Sequence, residues 1–260
     1  MKYHSINTVC ALTGANRANL RRWLRGGMIS EHKQSKEWSA QQIDEVLAMI
    51  SLTSGGATLR QIQHQHHHTV PYAAGWTARR GDLLWQLELG SDRELMRTVR
   101  TMASDYSSDD FINILMKPLN VWLRDDTRCG ASRRLSRFHD AVSHHSGCVM
   151  RAASRHNDTP LLLEVVSVGD QTEIWLEAIR LSGQGFCVEV DERSQGNRVE
   201  TARPHEHHLL WGGAGISPEM MTRFNRGLRA GKLMQLSGPD CAVRGGLSSS
   251  AGNDYQASVA

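Results

Sequence analysis

Arg17, Asn19, Arg21, Arg22 and Arg25 fall in one short stretch, interleaved with Leu20, Trp23 and Leu24. On a helix the apolar set turns one way and the arginines largely the other, leaving a row of guanidinium and amide donors facing outward. Such groups bind phosphates and base edges, and the roughly 12 Å major groove admits a helix that presents several of them from one face while its other face is anchored on a core. An isolated arginine cluster also reads as a solvated basic helix. The residues before it shift the balance toward nucleic acid. Ile6, Val9 and Cys10 lie at helical spacing behind Ser5, a good N-cap, and Thr13-Gly14-Ala15-Asn16 is a turn in which glycine supplies a positive φ. The pattern is helix, tight turn, amphipathic basic helix.

Charge distribution agrees. The first eighty residues hold ten Lys and Arg against four Asp and Glu, a surplus of six, while the whole chain carries +3; the remainder is therefore net acidic. The N-terminal third is the part suited to a polyanion. At 260 residues the chain exceeds one typical domain, and its 40% hydrophobic and 22% charged residues match an ordinary soluble protein. No stretch approaches the roughly 18 apolar residues of a membrane span, and the N-terminus lacks the apolar core of a signal peptide, so a cytoplasmic protein with no membrane partner is expected. Cys10, Cys129, Cys148, Cys187 and Cys241 are odd in number and scattered, with no Cys-x-x-Cys pair. They read as small core residues rather than a disulfide framework or zinc site.

The elements that must position the arginines follow along the chain. Gly26-Gly27 ends the basic helix; Ile43, Val46, Leu47 and Ile50 mark a third helix, and a fourth begins near Thr58. From Gln63 to Arg80 the pattern breaks, with His64, His66, His67, His68, Pro71 and Gly75, as in a linker. Helical signals then run from Asp82 to about Arg155: Leu83, Leu84 and Leu87; a capping box at Ser91-Asp92-Arg93-Glu94; Ser108-Asp109-Asp110 ahead of Phe111 to Trp122, with Pro118 expected to kink that helix; and Leu135, Phe138 and Val142. Beyond Leu161 a continuous apolar run predicts a covered strand, residues 173 to 182 a helix, and Phe186–Val190, His208–Trp211 and Lys232–Leu236 further strands, with a helix from Ser217-Pro218. Strand alternating with helix implies a parallel α/β unit. The fold class expected is multidomain α and α/β: a winged helix-turn-helix over residues 1–70, a linker over 71–81, a four-helix bundle over 82–157, a small parallel α/β domain over 158–237 and a disordered tail over 238–260.

The segment from Tyr3-His-Ser-Ile6 through Thr13-Gly14-Ala-Asn-Arg-Ala-Asn-Leu20-Arg21-Arg-Trp23 resembles the opening helix-turn-helix of MerR-type transcription regulators. Ser39-Ala-Gln-Gln-Ile43-Asp-Glu-Val46 and Gly56-Ala-Thr58-Leu59-Arg60-Gln-Ile62 resemble that family's next two helices. The resemblance implies a winged domain that binds double-stranded promoter DNA as a homodimer and works with RNA polymerase. Arg17, Asn19, Arg21 and Arg22 would lie on the recognition helix, with Arg25 on its basic face by spacing, and Lys33 and Lys36 near the wing. The segment between Ile29 and Trp38 lacks the Gly-His-Arg or Tyr-Arg pattern usual in that wing. Met116-Lys-Pro118-Leu119, Ile174-Trp175-Leu176-Glu177-Ala178, Gln184-Gly185 and Leu209-Leu-Trp211-Gly-Gly213 are similar to the MlrA-like regulators of curli and biofilm genes and their light-sensing relatives, in which a bundle and a cobalamin-type domain follow the DNA-binding unit.

Cobalamin domains of this type ligate cobalt through Asp-x-His-x-x-Gly after the first strand, where this chain reads Asp170-Gln171-Thr172-Glu173-Ile174-Trp175. Thr172 cannot replace the imidazole and Trp175 would fill the space the glycine leaves, so neither a cofactor nor a metal is expected. The histidines at 64 and 66–68 lack a cysteine or paired carboxylates to complete a metal site. His139, His144 and His145 either line a pocket in the bundle or, the better reading, sit on a partly exposed helix face; Gly212-Gly-Ala-Gly215 reads as a strand-to-helix turn in preference to a phosphate cradle, since it lacks the Gly-x-Gly-x-x-Gly spacing and a P-loop lysine. No nucleophile elbow or repeated Cys-His constellation points to an enzyme. The chain is expected to be a dimeric DNA-binding regulator. The alternative is a ligand-responsive regulator whose C-terminal region holds a small molecule near Trp122, His145 and Thr172, or a partner protein. Four histidines, Pro71, Gly75 and Gly81 stand where a MerR-type coiled coil needs apolar heptads, so the pairing contact falls to the bundle or the α/β domain, or the chain dimerises only on the operator.

Overall fold

Ser5 accepts a hydrogen bond from the Thr8 amide and opens α1 (Ile6–Thr13) in the computed structural model, which describes residues 3–30, 37–65, 75–156, 158–167, 169–191, 205, 207–213, 218–231 and 234–238. Gly14 closes α1 at φ 74°, a left-handed conformation that glycine adopts without strain, and turns the chain into α2 (Arg17–Arg25). A Ser39–Gln42 capping box starts α3 (Ala40–Ser54), and α4 (Leu59–Gln65) follows. A short antiparallel pair, β1 (Tyr3–His4) with β2 (Trp38–Ser39), ties the ends of this module together. Its core gathers Val9, Cys10, Leu20, Trp23, Val46 and Met49, the apolar faces set by helical spacing. Lys33 and Lys36 of the expected wing lie outside the described residues.

The next helices are α5 (Trp76–Glu88), α6 (Asp92–Asp105), α7 (Ser108–Asp110), α8 (Lys117–Arg124) and α9 (Ala131–Ser154). The expected linker is too long by this reckoning: residues 76–81 are already helix. Their anchor is long-range, because the Trp76 ring packs at 4.6 Å against that of Tyr106, tilted by 51°, and its indole donates to the Ser54 carbonyl at 2.6 Å. Gly56, at φ 80°, leaves room for this approach, since a Cβ there would lie 2.5 Å from the Trp76 nitrogen. At Pro118 the helical run changes its hydrogen bonding. A π-helical turn, Phe111–Met116, precedes it and joins α7 to α8, with the Lys117 amide bonding back to Ile112. The wider turn accommodates a residue that has no N–H to give.

Beyond the bundle come β3 (Thr159–Ser167), α10 (Gln171–Gly183), β4 (Phe186–Asp191), β5 (His207–Gly212), α11 (Pro218–Arg229) and β6 (Met234–Ser237). The sheet has the order β4-β3-β5-β6, and β3, β5 and β6 run parallel, pairing Leu163 with Leu209 and Leu210 with Leu236. This is the parallel α/β arrangement that alternating strands and helices predict.

The chain divides into two compact units: residues 1–160 with 171–188, and residues 161–170 with the chain from 189 onward. The expectation that α10 belongs with the sheet domain is corrected. Leu176 and Ile179 complete the bundle core beside Phe111, Leu119 and Phe138. The charges that α10 also buries are paired: Glu177, 4% exposed, holds Arg180 at 2.6 Å and Lys117 at 3.3 Å, and Arg180 reaches Asp109 at 3.1 Å. In the second unit Glu164 of β3 is held by His208 of β5 at 2.7 Å and by Arg223 of α11. The cysteine expectation holds for Cys10, which is buried; Cys129 is exposed and Cys148 and Cys187 half-buried, while Cys241 lies outside the described residues. The tail from 239 onward also lies outside them. Among the described residues no helix is long and apolar enough to cross a membrane.

Candidate nucleic-acid interface and the cavity beside it

Two asparagines position α2. Asn16 and Asn19 form a reciprocal capping box, each side-chain oxygen accepting from the other's backbone N–H at 2.8–2.9 Å. Their amide nitrogens turn outward to the end of α6: Asn16 donates to the Ala103 carbonyl at 3.1 Å, and Asn19 to Ser104 and Tyr106 at 2.8 and 2.6 Å. These are carbonyls that a helix end leaves without partners, so α2 serves as the side-chain cap of α6. Asn19 is 0% exposed.

Two arginines follow the same direction. Arg22 pairs with Asp105 and donates to the Ser104 hydroxyl at 3.2 Å, and Arg17 bonds Asp158 and Asn7. The Arg22–Asp105 pair is close but poorly aligned, since Asp105 Oδ1 completes no hydrogen bond. Burial therefore prevails over the charges of Arg22 and Arg79, and pushes the Asp105 carboxyl up to about 6. Asp158 is raised for the same reason, despite Arg17.

The five residues that the sequence assigns to one DNA-facing row are thus divided. Arg17, Asn19 and Arg22 engage the chain's own α6 and the segment after α9, whereas Arg21 and Arg25 are exposed. Asp105, Asp158 and Tyr106 carry no local signal of this role, because each meets α2 only through the fold.

Beside these contacts lies a cavity of about 470 Å³ between α2, α6, α9 and the end of α10. Arg21, Arg25 and Arg100 stand on its rim, and Phe111, Val149 and Ile179 form an apolar wall. His145 also lines it, and the expectation that this residue is partly exposed is corrected: it is 7% exposed, packed edge-on to Phe111. Its position on the inward face of α9 beside Ala141 and Val142 explains the burial. Burial first, then Arg100 and His144, lowers its pKa to about 4, so the ring is neutral near pH 7.

No family model and no curated protein matches the chain.

The expected small-molecule neighbourhood of Trp122, His145 and Thr172 does not form around this cavity, which includes only His145 of the three. Trp122 is covered by the guanidinium groups of Arg80 and Arg128. Thr172, 2% exposed, bonds His139 Nδ1 at 2.9 Å, and Trp175 packs on the bundle core. A buried hydroxyl already engaged by histidine and an indole in the adjoining space do not fit a corrin with a lower cobalt ligand. Added aquocobalamin is expected to leave its visible spectrum unchanged; a shift of its absorption bands would show that another residue binds cobalt. Among the described residues no group of three or more His, Cys, Asp or Glu gathers as a metal site.

Proposed function

We propose that the chain is a sequence-specific DNA-binding regulator acting as a dimer on promoter DNA, with α2 entering the major groove and RNA polymerase as the downstream partner. The observation that carries this reading is the α1–Gly14–α2 unit, closed on its own core by α3, with Arg21 and Arg25 exposed on the second helix. In this reading the docked α2 is the form held back from DNA, and full engagement exchanges the partners of Arg17, Asn19 and Arg22 for phosphates and base edges. Genome-wide occupancy mapping of the full chain tests it. Discrete sites sharing an inverted repeat are expected; occupancy without a shared sequence would overturn the reading.

Asp105→Asn probes the held-back form. Losing the pair frees Arg22 and should tighten operator binding roughly three- to tenfold, on the order of the ~1 kcal/mol a half-exposed ion pair contributes. Weaker binding would mean that the contact orients α2 for DNA instead. The variant should also denature no earlier than the parent at pH 7. With its pKa raised to about 6 from 3.8, folded Asp105 retains a proton that the unfolded chain has lost between about pH 4 and 6. This group therefore favours folding as pH falls through that window and opposes it above, and asparagine removes the opposition.

The cavity favours a second reading in which the regulator responds to a small molecule.

A further inference from the structure

We propose that the cavity between α2 and the bundle binds a small acidic molecule with an apolar body, its anionic group held by Arg21, Arg25 and Arg100 and its apolar part seated on the wall that Phe111, Val149 and Ile179 form. The volume of about 470 Å³ lies in the range of small-molecule sites, and a mostly apolar wall with a few convergent polar groups is their usual construction.

Two buried polar atoms point to a ligand. His145 Nε2 and Ser182 Oγ both belong to residues lining the cavity, and neither has a hydrogen-bond partner. A buried polar atom without a partner costs free energy, which a ligand oxygen or nitrogen at that position recovers. The neutral His145 ring can donate through Nε2 to an oxyanion.

The charge of the rim fixes the sign of the ligand. Asp158, the carboxylate lining the cavity, is already paired with Arg17, and Arg22 is paired with Asp105. Arg21, Arg25 and Arg100 have no carboxylate partner among the described residues. Three arginines lining one cavity beside an apolar wall select an anion over a cation or a neutral molecule of the same shape, and their planar forks suit phosphate and carboxylate alike.

Site occupancy is independent of the DNA-binding reading, and the test separates them. Full-length protein is titrated calorimetrically without DNA, using 1-naphthyl phosphate, 1-naphthoate, 1-naphthol and inorganic phosphate. Saturable one-to-one binding of naphthyl phosphate or naphthoate is expected, at least tenfold tighter than either naphthol or phosphate; the stronger of the two acids distinguishes a phosphate from a carboxylate ligand. Arg100→Gln, a change at an exposed residue outside the proposed DNA contacts, should weaken that binding at least tenfold while leaving operator affinity unchanged. His145→Gln should weaken it as well. Equal binding of the neutral and acidic naphthalenes, no saturable binding, or binding insensitive to both substitutions would overturn the proposal, whatever the outcome of occupancy mapping.

Discussion

Glu177→Ala is expected to lower the unfolding free energy by about 3–5 kcal/mol, the usual effect of removing one partner from a buried ion pair. Glu177 lies within α10 and is the carboxylate on which Arg180 and Lys117 converge. Burial would raise its pKa, but the hydrogen bonds and charge of Arg180, with help from Lys117, outweigh burial and hold it below the ordinary value. Without it, Arg180 retains only Asp109, a half-buried carboxylate at 3.1 Å, and its guanidinium remains desolvated among apolar neighbours. Urea denaturation measures the loss. A second substitution, Arg180→Leu, should recover part of it, because the uncompensated charge is then gone. A loss below about 1 kcal/mol would show that solvent reaches the pair. The same sign appears with pH: since the folded carboxyl titrates below its ordinary pKa, its contribution is present above the unfolded value near 4.5 and is lost as pH falls through the folded one.

The second large effect concerns DNA. Arg21→Ala combined with Arg22→Ala should weaken operator binding by about 1–3 kcal/mol for each arginine that makes a bidentate base contact. Equilibrium titrations at several salt concentrations provide the check, since an arginine that meets only phosphate lowers affinity for all sequences and reduces the salt slope by about one. Arg21 is exposed, while Arg22 must first leave Asp105, so the two single variants should differ: Arg22→Ala also removes a contact that holds α2 against α6. Operator binding equal to that of the parent protein would remove α2 from the interface.

Much of the local architecture is written in short-range chemistry. Ser5, Ser39 and Ser91 each accept from an amide three residues on, and Gly14 adopts the positive φ that its turn requires, so four element boundaries can be read within one helical turn. The parallel strands were legible because buried strands read as apolar runs. What was hidden is what depends on distant partners. Trp76 starts α5 because Tyr106 and Ser54 receive it, and nothing near Trp76 encodes either contact. α10 looks like the crossover helix of an α/β unit, yet Leu176 and Ile179 complete the bundle core. The basic row of α2 was equally clear as composition and equally incomplete as a site. Helical periodicity places Asn19 and Arg22 but cannot reveal that Tyr106 and Asp105 await them.

The capping of α6 by α2 also sets a reciprocal linkage. If α2 leaves to meet DNA, the carbonyls of Ala103, Ser104 and Tyr106 lose the amides of Asn16 and Asn19 that now satisfy them. The last turn of α6 then either frays or takes up water, and that free energy is subtracted from the affinity for the operator. On that proposal, bound DNA loosens the end of α6 by the same thermodynamic necessity, and any agent that stiffens this end weakens the hold on DNA by the same factor. On the proposed function, one pair of asparagines makes the stability of a bundle helix and the occupancy of a promoter two readings of a single equilibrium.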